Sequence, residues 1–178
     1  AKAAPRLRED AELLQSGGLP GGMDRYLAAI YPDTVLFHAD DFFLRPEQRT
    51  AARYAQPGGN LDRERLESEI LIPISRNKAA VYRPFNCRTL SLREPVTVLP
   101  GRNIVEGSYS FHPELARYYD LSVFLDISPE TQRSRILKRN GPEWGQQFFD
   151  RWIPLEQIYF HETDTKGRCT LALKEETR

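Results

Sequence analysis

Residues 34–43 read TVLFHADDFF. Val35, Leu36 and Phe37 predict a short buried strand, which runs straight into two carboxylates, Asp40 and Asp41, and two aromatic rings. The pattern recurs downstream. RNIVEGSYSF (102–111) predicts a strand ending at Glu106-Gly107, and LSVFLDIS (121–128) predicts one ending at Asp126. Segments of helical period lie between and after these strands: LDRERLESEILIPIS (61–75), with Leu66 and Ile70 four apart and Pro73 as its stop, and PETQRSRILKRNG (129–141). Apolar strands alternating with helices predict an α/β fold with a mainly parallel sheet, where ligands gather at the carboxyl ends of the strands. Asp40, Asp41, Glu106 and Asp126 all stand at such ends.

The remaining segments fit around this frame. Residues 5–16 and 22–31 predict two helices, RPEQRTAARYAQPGGNLDRE (45–64) a polar loop, and AAVYRPFNCRTLSLREPVTVL (79–99) two or three short strands forming a hairpin-like insertion. GQQFFDRWIPLEQIYF (145–160) predicts an aromatic-rich helix broken near Pro154, and RCTLAL (168–173) a last short strand. A length of 178 residues fits one domain with a sizeable core. Twenty-five basic and 25 acidic residues cancel, which argues against broad binding to nucleic acid or to an acidic membrane. Cys87 and Cys169 form no CxxC pair, and no apolar run is long enough to span a membrane. A cytoplasmic protein acting on a small molecule is the expectation, with a homo-oligomer compatible with it.

Four constellations can carry chemistry. An acid leaving a buried strand, as in HADDFF, can take a proton from a substrate hydroxyl or help hold a metal through water, or it can cap the next segment; adjacent acids point apart, so at most one of the two is the base. Glu106, followed by a glycine that permits close approach of a ligand, can orient a magnesium-bound water, and His112 can hydrogen-bond a substrate hydroxyl or serve as a turn residue. Arg135 and Arg139 lie four apart on one helical face; guanidinium groups there suit nucleotide phosphates, and equally suit a solvated basic face. In YRPFNCR (82–88), Tyr82 and Phe85 can stack on a ring or pack in the core, while Arg83, Asn86 and Arg88 can bind a polar edge.

Taken in order, strand-DDFF, YRPFNCR, strand-VEGSYSFHP, strand-FLDISPE and the RSRILKR helix resemble the uridine kinase group of P-loop kinases, from about Tyr31 to Phe160. Bacterial uridine kinase-like proteins are closest in texture. The resemblance implies a single three-layer α/β kinase-like domain over 1–178, with residues 79–100 as a hairpin insertion near the substrate pocket and 133–147 as a lid. It further implies phosphoryl transfer from ATP, with magnesium, to a hydroxyl of a small molecule such as a nucleoside. By position, Asp40 falls on the family's catalytic base, Glu106 on its acidic strand-EG position, and Arg135 and Arg139 on its lid arginines. Asp41, Tyr82, Arg83, Phe85, Arg88 and His112 fall in its substrate pocket. YRPFNCR differs from the aspartate-bearing version usual in uridine kinases, so the acceptor stays open among a nucleoside, a pantothenate-like compound and other small hydroxyl compounds.

The family's phosphate loop, G-x-x-x-x-G-K-[ST], is what the chain lacks. QSGGLPGGMDRYL (15–27) is rich in glycine but has neither the lysine nor the hydroxyl at that spacing, and no apolar strand lies between Leu14 and Met23. Loss of a central strand would cost more than the roughly 5–15 kcal/mol by which a domain is stable. Three readings follow: a sequence discontinuous near Pro20-Gly21, a true deletion that leaves a catalytically inactive nucleoside- or nucleotide-binding module, or an unrelated α/β protein whose DDFF and EGS are strand-end caps.

Overall fold

The structure is a computed structural model that describes residue 31 and residues 33–174. The helices expected over 5–16 and 22–31 and the glycine-rich stretch 15–27 lie outside the described residues, apart from Tyr31. The chain divides into two compact units, residues 21–119 and residues 120–178 with 1–20.

In the first unit, β1 (Thr34–His38) and β6 (Arg102–Glu106) pair in parallel, with Thr34 opposite Arg102 and His38 opposite Glu106. A 3-10 turn, Ala39–Phe42, follows β1 directly. The segment expected as a polar loop instead contains a 3-10 turn at Pro46–Gln48 and a short helix, α1 (Ala51–Tyr54). Thr50 starts α1 by accepting a hydrogen bond from the Arg53 N–H at 3.1 Å, a capping signal that the polar composition obscures.

The expected helix over 61–75 forms as α2 (Arg63–Leu66), a π-helical turn (Glu67–Leu71) and α3 (Ile72–Ser75). Asp62 caps it through the Arg65 N–H at 3.2 Å. Pro73 does not stop this helix. A proline lacks the N–H for a regular turn, and its ring collides with the carbonyl four residues back. The widened turn, in which the Ile72 N–H reaches Glu67 O, relieves that collision, and the chain continues one more turn. Asn77, with φ 54°, then ends the helix in the left-handed conformation.

Four short strands follow, where two or three were expected. β2 (Ala80–Tyr82) pairs antiparallel with β5 (Val96–Val98), and inside them β3 (Phe85–Asn86) pairs with β4 (Ser91–Leu92). Phe37, Phe42, Leu61, Leu66, Ile70 and Leu115 are fully buried and form the core.

In the second unit, β7 (Val123–Asp126) pairs in parallel with β8 (Leu171–Lys174). α4 (Pro129–Gln147) is capped by Ser128, which accepts from the Thr131 N–H at 3.1 Å, and has Pro129 in its first turn. The break expected near Pro154 lies upstream. Gly141, at φ 76° and ψ 170°, kinks α4 just before Pro142. A second π-helical turn, Phe148–Trp152, carries the chain into α5 (Ile153–Glu162), so Pro154 is accommodated as Pro73 is. α6 (Thr165–Arg168) completes the unit.

Candidate active site

The β1–β6 register decides what meets at the strand ends. His38 and Glu106 are partners across the pair, and His38 Nδ1 hydrogen-bonds Glu106 Oε1. Immediately beyond, the chain leaving β6 passes very close to the chain leaving β1. A Cβ on Gly107 would lie 2.8 Å from Ala39 Cβ, and Gly107 has φ +128°, so only glycine fits the second position of the Glu-Gly pair. The turn after β1 presents Asp40 exposed and Asp41 half-buried. Burial pushes the Asp41 carboxyl above the ordinary carboxylate range; His38, Arg93 and Arg65 pull it down and Glu106 pushes it up.

The turn that carries these acids is held from several directions. Phe42 is fully buried, stacked on Tyr82 at 5.5 Å between ring centres, with the Arg65 guanidinium 5.2 Å from its centroid. Phe42 O accepts from the Asp62 N–H at 2.7 Å, and the Leu44 N–H donates to Asn60 O at 3.2 Å. Asp62, itself buried, also accepts from Gln48 Nε2 at 2.8 Å. Arg65 makes a two-pronged ion pair with Glu69 at 2.8 and 2.9 Å and donates to Arg83 O at 2.6 Å, tying helix, acidic turn and hairpin together. Its Nη1 is buried without a hydrogen-bond partner among the described residues.

The other expected pocket residues of this unit take these positions. Tyr82 and Phe85 are buried; Tyr82 packs on Phe37 and Phe42, and Phe85 lies under the Arg49 guanidinium at 5.7 Å. Arg83 is exposed and bound to the backbone of its own hairpin, at Arg93 O (2.8 Å) and Leu92 O (3.3 Å). Arg88 is exposed near the hairpin tip, where its N–H donates to Asn86 Oδ1 at 2.9 Å. His112 is buried in a turn: its carbonyl accepts from Leu115 and Ala116, and its Nδ1 from the Glu114 N–H at 3.3 Å. Burial, and then the positive charge of Arg63, hold the His112 imidazole below the ordinary histidine range.

Arg135 and Arg139 belong to the second unit, both exposed on α4. Arg139 donates to Asn140 Oδ1 at 2.8 Å and lies 5.7 Å from the Phe148 centroid. Asp126, at the end of β7, is met by Lys166 Nζ at 2.6 Å.

A cavity of about 390 Å³ in the first unit is bordered by Leu44, Gln48, Arg53 and Glu64. It includes none of the acids at the strand ends, and Arg53 and Glu64 on its wall already satisfy each other at 2.7 Å. The strand ends are therefore the better candidate site. Among the described residues, no group of three or more His, Cys, Asp or Glu converges into a metal cage. Magnesium needs no such cage, since one or two carboxylates suffice when substrate phosphates and water complete its shell, and Glu106 with the neighbouring aspartates is a donor set of that kind.

His38, Arg65 and Asp62 are the residues that sequence reading missed. Each had a faint signal. His38 stands between the strand and the acids, and Asp62 opens a predicted helix as a capping residue does. Arg65 had none, because its partners are the carbonyl of Arg83 and the ring of Phe42, far along the chain.

No protein-family model matches the sequence, and no curated protein matches it either. Among solved structures, the chain is similar to one named as a possible uridine kinase from Bacillus stearothermophilus. The two are 14% identical, the likeness covers 97% of this chain and 100% of the other, and the TM-score is 0.64. At that identity the likeness shows the fold alone, an α/β fold shared with that structure.

Proposed function

We propose that the chain transfers a phosphoryl group from ATP to a hydroxyl of a small molecule. The observation that carries this reading is the β1–β6 register, which gathers His38, Asp40, Asp41 and Glu106 at one pair of strand ends in a kinase-like fold. Phosphoryl transfer asks little covalent work of a protein and much positioning and charge neutralisation. In this reading the exposed Asp40 takes the proton of the acceptor hydroxyl as its oxygen gains the phosphoryl group. Asp41, half-buried beside it, orients the acceptor. Glu106 would hold magnesium through water; Arg135 and Arg139, exposed on the second unit, are the guanidinium groups that would suit nucleotide phosphates. Bound magnesium-ATP supplies the phosphoryl group and the neutralising cation.

One feature favours a second reading, a binding module without catalysis: the chain has no G-x-x-x-x-G-K-[ST] segment. ATP affinity separates the two. The kinase reading expects magnesium-dependent ATP binding and an intact mass above 20.5 kDa, because a strand and phosphate loop would then be missing from the sequence near Pro20-Gly21. A mass of 20.5 kDa without ATP binding, but with thermal stabilisation by a nucleoside, establishes the binding module instead.

A further inference from the structure

His38 has no part in the chemistry described so far, yet it is the residue that Glu106 touches. The two are opposite each other at the last step of the β1–β6 ladder, and His38 Nδ1 hydrogen-bonds Glu106 Oε1. Among the described residues this is the one hydrogen bond to the Glu106 carboxylate, so Oε2 is left open. The pair is not what holds the strands together. The ladder does that, from Thr34–Arg102 to His38–Glu106, and so does the close passage of Gly107 over Ala39 just beyond it. Both side chains also face solvent, His38 at 46% and Glu106 at 38% exposure, where an ion pair adds little to stability. What an imidazole adds is direction. Lys166 meets Asp126 with a rotating ammonium, which imposes no orientation on the carboxylate. A ring nitrogen bonds in the plane of its ring, and so fixes which oxygen of Glu106 is engaged and which is free.

We infer that His38 is a positioning residue for a divalent cation: by holding Oε1 of Glu106 it turns Oε2 toward the cation's water shell at the strand ends. A carboxylate left to rotate spreads its free oxygen over many directions, whereas one pinned by a neighbour offers it in one, and partners of this kind matter to metal affinity nearly as much as the acids they hold. A cation that keeps most of its water needs this more than one seated in a cage, because a single carboxylate must orient its shell. The inference rests on the kinase reading for the cation's place at Glu106, and makes no demand on turnover of ATP.

The experiment reads cation binding directly, on the full chain with manganese(II) alone, a paramagnetic cation that takes the same oxygen donors. The amide resonance of Gly107, next to Glu106, is followed through the titration. In the native chain it should broaden as the cation binds, and Glu106→Gln should abolish the broadening. His38→Phe keeps a ring but loses the donor, and should need about tenfold more manganese for the same effect. His38→Leu repeats that loss without the ring, in case the larger side chain disturbs folding. His38→Asn sets an N–H donor near the place of Nδ1 and should recover most of the native affinity, a rescue that a role in packing alone would not give. No broadening in the native chain, native affinity in the Phe and Leu variants, or no recovery in His38→Asn overturns the inference. ADP release assayed in parallel separates the two claims. Broadening that needs His38 in a chain without turnover counts against the kinase reading alone; turnover with broadening indifferent to His38 counts against this inference alone.

Discussion

Two parallel strand pairs in this chain each end in an acid, and the acids meet different surroundings. At the end of β7, Asp126 is matched by one cation, Lys166, at 2.6 Å. At the end of β6, Glu106 shares a single histidine with a turn that brings two further acids, one of them half-buried and held above its ordinary range. The same sequence signal therefore has two meanings. A strand-end acid with its own lysine is a local ion pair, whereas the turn after β1 holds a half-buried carboxyl whose charged form burial disfavours. Strained or destabilised groups of that kind concentrate at functional sites.

Removing what holds the acidic turn should give the largest effect. Arg65→Met leaves Glu69 without its partner and Arg83 O without its donor, and denaturant unfolding should show a loss of about 3 kcal/mol, by analogy with broken buried ion pairs. Lys166→Met, which breaks the exposed pair of the other unit, should cost less than about 1 kcal/mol. Equal losses in the two variants would dissolve the comparison.

The glycines sharpen it. Gly107→Ala combines a positive φ with a clash at Ala39 Cβ, and should cost about 2–3 kcal/mol of unfolding free energy. Gly141→Ala also meets a positive φ but has no atom within 4 Å, so its loss should be smaller by about 1 kcal/mol.

The two aspartates should respond with opposite signs. Because the folded-state pKa of Asp41 is raised, its stabilising contribution is complete below the ordinary value of 3.8 and is lost as pH rises through the folded value. Asp41→Asn should therefore raise the melting temperature at pH 7 and leave it unchanged at pH 3. Asp126→Asn loses the Lys166 pair and should lower it slightly at pH 7. A drop in both variants would mean that Asp41 is only a structural cap.

The smallest effect belongs to His112. Its folded-state pKa is lowered, so below about pH 6.5 the unfolded chain takes up a proton that the folded chain resists, and stability falls as pH falls through that window. His112→Gln should flatten the stability profile between pH 7.5 and pH 5.5, and an unchanged slope would place the titration elsewhere.

Local pattern accounts for what the sequence made legible. The strands at Thr34–His38, Arg102–Glu106 and Val123–Asp126 and the helix after Ser128 follow from short apolar runs and a Ser-Pro start. The readings at Pro73 and Pro154 missed because a π-helical turn lets a helix pass a proline, and nothing in the composition announces one. The acids of the site were legible because each follows a strand. Arg65 was not, since it is defined by contacts across the fold, with the ring of Phe42 and the carbonyl of Arg83. The α/β fold expected from alternating strands and helices agrees with the structural likeness, which bears on the fold alone.

The most direct measurement is ADP release from magnesium-ATP by the native chain and by Asp40→Asn, across a panel of uridine, cytidine, glycerate and pantothenate. The account predicts release stimulated by a hydroxyl compound of this panel, and a rate at least about 100-fold lower in Asp40→Asn with ATP affinity unchanged. Equal turnover in the two chains, or no binding of ATP by the native one, would contradict it.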